Sequence, residues 1–320
     1  MSRQTLRRLV SQERDCHHLP DCLPRSALHE GAYRNEIWRQ AVVGWLYTIV
    51  DRINADREIV YMAMNIIDRF LSMQARSSDA HIEDEKAYET VVITSFLMAL
   101  KLQGIESLCL HDLVSMSRKA ISTKDVVRTG KEIVSNLSWN CQIPTPARFA
   151  HALVQILPPT VHQDVKVALF DLTIYQLELS LFDDFCSRQT PSLLAWMALE
   201  NALNEVSTIS KDIIDAFRIE VSSITKNVAN KLLRQKLLEL YDSENDISQA
   251  SQETPTLIPP DDCCDEVCTY PVYEEYKWRP RSLRTSIVVP NDEFEPTSRV
   301  RCRDIENESS LKRSKRFRRF

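Results

Sequence analysis

The seven histidines and nine cysteines are where catalysis or metal binding would have to begin in this sequence. No histidine stands three residues after a glutamate, so the Glu-x-x-His pairs of a carboxylate metal site in a helical bundle cannot be written. Cys16, His17, His18 and Cys22 offer four ligand-type side chains, but they share a short polar lead and no second pair follows. Cys263, Cys264 and Cys268 lack a following histidine and do not have ribbon spacing; they read as part of a solvated acidic stretch. The other cysteines are scattered singly through helical segments, as suits a reducing compartment. No metal and no cofactor are expected.

Carboxylates are the next candidates. Asp68 sits between Met64, Ile67 and Leu71 in a segment with little polar surface. An unpaired buried charge costs several kcal/mol, so Asp68 needs a cation. Arg39, on the preceding helical segment, is the expected partner, and the pair would pin two helices together. No His, Cys or second carboxylate completes a catalytic constellation around it. Only four glycines are present, Gly31, Gly44, Gly104 and Gly130, too scattered for a GxGxxG or a GxxxxGK[ST] loop. A dinucleotide-binding domain, a P-loop enzyme and a kinase catalytic domain are thereby excluded. With a net charge of −5 the chain presents no general basic field, and nucleic acid is not an expected partner. The longest apolar run, 91–100, is too short to span a bilayer, and the basic N-terminus leads into no apolar stretch, so neither membrane nor secretion is expected.

The elements that would position these residues read as helix after helix from about Asn35 to Tyr241. Apolar side chains at 37, 41, 45, 49 and 53 lie four apart on one face. Further helices are expected over IVYMAMNIIDRFL, from 88 to 102, around 110–117, and from Ser122 to about 137, where Ser122 and Asp125 have near-capping-box spacing. WNCQIPTPARF interrupts the series, with Thr145 as cap and Pro146 at the first helical position. Helices are then expected at about 146–157, 163–182, 190–204, 211–218 and 221–241. Past Tyr241, residues 243–278 hold nine acidic residues against one lysine, and the chain ends LKRSKRFRRF. Blocks of like charge without periodicity read as a disordered tail.

The motifs within this frame are specific. WRQAVVGWL followed by NIIDRFLS, then FLMALKLQGI, LHDLVSMSR and LSWNCQIPTPARF in register, resembles the cyclin box. VSMSR and the junction from Trp139 to Pro-Thr-Pro are similar to the diatom-type cyclins. FDLTIYQLELSLFDDFCSRQTPSLLAWMAL resembles a degenerate second cyclin fold. The resemblance implies an all-α protein of two tandem five-helix cyclin folds with disordered N- and C-terminal tails. Its expected divisions are 1–34 as an N-terminal extension, 35–143 and 144–241 as the two folds, and 242–320 as an acidic then basic tail.

The resemblance also implies a regulatory subunit, not an enzyme, that binds and activates a cyclin-dependent protein kinase and controls cell-cycle progression in nucleus and cytoplasm. Arg39 and Asp68 match the family's structural ion pair, and Lys101 matches a kinase-contacting lysine. A family glutamate nine residues before the Trp139-type aromatic falls on Gly130 here. Glu132 is two residues on and about 200° round the helix, so it is not an automatic substitute, although it remains a candidate contact. Leu102, Gln103 and Gly104 follow Lys101 where the family has an aromatic and two acidic residues. Trp38, Ala41, Val42 and Trp45 map to the family's patch for Arg-x-Leu substrates or inhibitors. Two of them, Ala41 and Val42, could equally pack in the core, and Trp38 is the better candidate for exposure.

Lesser signals complete the reading. Lys312, Arg313, Lys315, Arg316, Arg318 and Arg319 form a nuclear-import candidate. Arg3-Gln-Thr-Leu6 has the form of a degradation signal read by a ubiquitin ligase, and Thr254-Pro255 that of a proline-directed phosphosite. A rival use of the same fold is a transcription scaffold that binds proteins or DNA without activating a kinase; it would need a basic face outside the last ten residues.

Overall fold

The computed structural model describes residues 2–16, 31–77, 85–117, 121–206, 208–227 and 230–250, all within one unit spanning 1–282. Among the described residues there are twelve α-helices and no strand. They are α1 (Ser2–Cys16), α2 (Gly31–Arg52), α3 (Glu58–Ser77), α4 (Glu85–Leu102), α5 (Leu110–Ser115), α6 (Thr123–Asn136), α7 (Pro146–Val154), α8 (Gln163–Ser180), α9 (Asp184–Ser187), α10 (Pro191–Glu205), α11 (Lys211–Thr225) and α12 (Lys231–Ala250). The expected acidic and basic tail, the basic cluster at 312–319, Thr254-Pro255, Cys263, Cys264, Cys268 and residues 17–22 all lie outside the described residues.

Buried side chains form two clusters. One gathers α2 to α6 around α4, whose Val92, Ile93, Phe96 and Leu100 are fully covered. The other gathers α7 to α12 around α10, which buries nearly every residue from Pro191 to Leu203. Each of these two helices is wrapped by neighbours on several sides. Thr145 and Thr190 cap α7 and α10, each accepting from a backbone N–H three residues on, and each is followed by proline at the first helical position. Ser122 accepts from the Asp125 N–H while Asp125 accepts from the Ser122 N–H, a capping box that starts α6.

Three features depart from the expectations. The polar lead contains α1, whose Leu6 and Val10 are buried in the second cluster. Glu13 lies one turn further along and accepts from the Ser192 N–H at 2.7 Å, setting a carboxylate on the N-terminal turn of α10. Second, α11 continues to Thr225 and α12 begins at Lys231; no break falls at 219–220. The chain turns instead at Lys226, left-handed with φ 59°, and Asn230 accepts from the Leu233 N–H to open α12. Third, a four-residue helix, α9, begins at Asp183, which accepts from the Cys186 N–H.

Candidate functional site

The first two long helices of the first cluster are locked by charge. The guanidinium of Arg39 on α2 donates to Asp68 Oδ1 on α3 at 2.7 Å, and its Nε donates to the carbonyl of Leu181 at 2.8 Å. Burial works against the Arg39 charge, yet the Asp68 carboxylate outweighs it and holds the guanidinium pKa above its ordinary value. A second tie uses Arg57, which donates to both oxygens of Asp51 at 2.7 and 2.6 Å and to Glu178 at 2.5 Å. Glu58 accepts from the Thr145 hydroxyl at 2.6 Å and from Arg148 Nε at 2.8 Å. These bonds join α2, α3 and the turn between them to the start of α7 and the C-terminal end of α8. They hold elements in place and carry no reaction.

The groove that this frame positions runs between α4 and α6, with a volume of about 520 Å³. From α4 come Thr94, Leu97, Met98 and Lys101, spaced at i, i+3, i+4 and i+7 along one helix face. From α6 come Val126, Val127, Gly130, Lys131, Val134 and Ser135, again one face. Leu110 of α5 and Trp139 close the ends. Trp139 is 84% exposed and Val127 50%, a large apolar rim open to solvent. Ser138 and Trp139 both have positive φ, 49° and 63°, so the chain leaving α6 turns through two left-handed residues to present that indole. Trp139 N–H donates to the Val134 carbonyl at 2.9 Å, which secures the turn.

The sequence candidates distribute unevenly around this groove. Lys101 is exposed at the C-terminal end of α4 and Gly130 lies in the α6 wall, so the structure brings these two together. Glu132 is exposed but is not among the groove's lining residues, because two residues of helix turn it away from the Gly130 face. The docking strip is corrected more sharply. Val42 and Trp45 are each only 2% exposed, packed in the first cluster, so they present no surface to a ligand. Trp38 is half-buried, its ring 4.9 Å from that of Tyr88, and Ala41 is half-buried as well. Leu6 of the Arg3–Leu6 motif is wholly buried, so the motif is not an open peptide while α1 is docked. Lys131 and the exposed rim of Val127 went unnoticed in the sequence. Their signal was the apolar faces of two helices, α4 and α6, with Lys101 on one and Lys131 on the other.

Among the described residues there is no group of His, Cys, Asp and Glu able to hold a metal ion, and no helix long and apolar enough to cross a membrane. An apolar groove rimmed by lysine, on an all-helical frame held by partly buried ion pairs, is the kind of surface that helical binding proteins present. Residues 6–142 match the family described as cyclin, N-terminal domain. It is 28% identical over 181 residues to Cyclin-B2-2 of Arabidopsis thaliana, covering 57% of this chain and 39% of that protein. It is 28% identical over 168 residues to Cyclin-B2-1 of Oryza sativa subsp. japonica, covering 52% of this chain and 37% of that protein. The same identity over 168 residues relates it to G2/mitotic-specific cyclin-1 of Medicago sativa subsp. varia, covering 52% and 36%. The matched region thus spans about two-fifths of the length of these curated relatives.

Proposed function

We propose that this protein is a regulatory subunit that binds and activates a cyclin-dependent protein kinase and so controls progress through the cell cycle. The observation that carries this reading is the α4–α6 groove with Lys101 on its rim, in a chain related to B-type and mitotic cyclins. The two buried clusters would correspond to two cyclin folds over 35–143 and 144–241, with α1 as an N-terminal addition seated on the second. In the proposed mechanism, α4 and α6 press on the helix of the kinase that carries its active-site glutamate and hold it inward against the catalytic lysine. Only tighter binding to that active arrangement than to the inactive one shifts the kinase equilibrium. The cyclin itself contributes no reacting group.

Nuclear and cytoplasmic residence is part of the same proposal, with the basic cluster from Lys312 to Arg319 as the import element; deletion of residues 311–320 should then lower the nuclear fraction of a fluorescent fusion. Turnover through Arg3–Leu6 would require α1 to leave the second cluster first, since Leu6 is buried there.

The test is co-purification with candidate kinases followed by a phosphorylation assay on the complex. Wild-type chain should stimulate its kinase, and Lys101→Glu should weaken association about tenfold, as reversal of an interface charge does. Unchanged association of Lys101→Glu would remove this interface. Salt-dependent DNA binding that survived loss of residues 311–320, without kinase stimulation, would instead favour a transcription scaffold.

A further inference from the structure

We infer that the α4–α6 groove selects a partner helix that carries a carboxylate beside its apolar anchor, in preference to a neutral or basic helix. The inference takes from the proposed function only the kind of partner, a kinase docking helix; its chemistry comes from the groove.

Lysine stands on both walls, Lys101 from α4 and Lys131 from α6, and no Asp or Glu lines the groove among the described residues. Neither lysine forms an ion pair there among the described residues. The neighbouring carboxylate, Glu132, is about 100° further round α6 than Lys131 and outside the groove. Gly130 adds no side chain, and Ser135 offers only a neutral hydroxyl, so the α6 wall carries no carboxylate of its own for either ammonium group. Two cations therefore face one cleft with no internal counter-charge, and an occupant has to supply it.

The walls decide what kind of occupant. Leu97, Met98, Val127 and Val134 make the floor and sides apolar, and the indole of Trp139 stands open at the end. An amphipathic helix laid between two helices fills such a groove with anchors at i, i+3 and i+4. Seating it excludes water from the lysines' surroundings, which strengthens a charge pair formed there and makes a second positive charge costly. Two exposed lysines are too few for a nucleic-acid surface, whose affinity is built from many phosphate contacts.

The experiment uses the full chain and labelled amphipathic helical peptides of about four turns, identical except for Glu, Gln or Lys beside the leucine anchors. The Glu peptide should bind about tenfold more tightly than the Gln peptide, and the Lys peptide more weakly still. Lys101→Gln with Lys131→Gln should abolish the Glu-over-Gln preference while leaving the circular dichroism spectrum unchanged. No detectable binding of the Glu peptide, equal affinity for all three, or a preference that survives the double variant would overturn the inference. So would a single-stranded RNA that displaces the Glu peptide and binds more tightly through the same lysines. Failure to stimulate any kinase with the Glu preference intact refutes the proposed function alone. Kinase stimulation indifferent to both lysines and to peptide charge refutes the charge selection alone.

Discussion

The α-carbon of Gly130 faces the methyl group of Thr94 across the α4–α6 contact, so that a Cβ placed on Gly130 would stand 3.5 Å from Thr94 Cγ2. That is ordinary van der Waals separation, and nothing else crowds the position. Glycine in a helix interior is less favourable than alanine by roughly 1 kcal/mol. Gly130→Ala should therefore stabilise the protein by about 0.5–1 kcal/mol, read as a higher denaturant midpoint at constant slope. Gly130→Leu, which reaches past Cβ into the groove, should weaken partner binding without lowering that midpoint.

The Arg39–Asp68 pair predicts an asymmetric response. Asp68→Ala leaves a guanidinium buried with only the Leu181 carbonyl among its recorded partners, and should cost about 2–4 kcal/mol. Arg39→Met removes the charge that needs a partner and fills part of its volume, while the half-buried Asp68 can turn to water. Its loss should be the smaller of the two. Urea unfolding of both variants compares them directly, and equal losses would contradict the account.

Glu13 makes the seating of α1 sensitive to pH. Burial pushes its carboxyl pKa above the ordinary carboxylate value, and the bond from Ser192 only partly offsets this. A folded value above the unfolded one means that docking takes up a proton. The contribution of Glu13 is then most favourable below the ordinary carboxylate range and fades as pH rises through the raised value. Glu13→Gln keeps an acceptor for Ser192 and removes the titration. Unfolding curves should show wild type and variant drawing together in acid and the variant gaining on wild type toward neutrality.

Trp139 separates binding from stability. Its φ of 63° is a conformation that glycine adopts freely and a bulky side chain does not. The indole itself is mostly in water. Trp139→Gly should thus be neutral or stabilising by about 1 kcal/mol, while, under the proposed function, an exposed aromatic anchor lost from the interface should reduce affinity for the kinase partner by tenfold or more. Calorimetric titration against the kinase, with thermal unfolding of the free chain, measures both sides.

Local signals carried much of the fold. The Ser122–Asp125 spacing marks the start of α6, Thr-Pro pairs mark α7 and α10, and the apolar runs of α3 and α4 announce packed helices. Each depends on residues within a few positions, where backbone geometry alone decides the outcome. The Arg39–Asp68 contact could also be anticipated across 29 residues, because a charged group in an apolar segment demands a partner. The end of α11 was not legible. Lys226 takes a left-handed turn with no glycine or proline to mark it, and the five residues expected after 220 simply extend the helix.

Other features follow only from assembly. The sparse stripe of Leu6, Val10 and Glu13 acquires meaning from the second cluster and the N-terminal turn of α10, elements more than 130 residues away. Trp45 looked available as a docking anchor, and it is buried because α3 and α4 close over α2. Glu132 and Lys131 are adjacent in sequence, yet only Lys131 lines the groove, since a single helical step of about 100° separates a lining position from an outward one. By itself, the sequence determined an all-helical fold, motifs that resemble the cyclin box and an Arg39–Asp68 ion pair, because residue type and spacing settle those locally. The tertiary structure alone decided which lysines share a cleft and which tryptophan stays open. Those properties depend on how two helix faces meet in space.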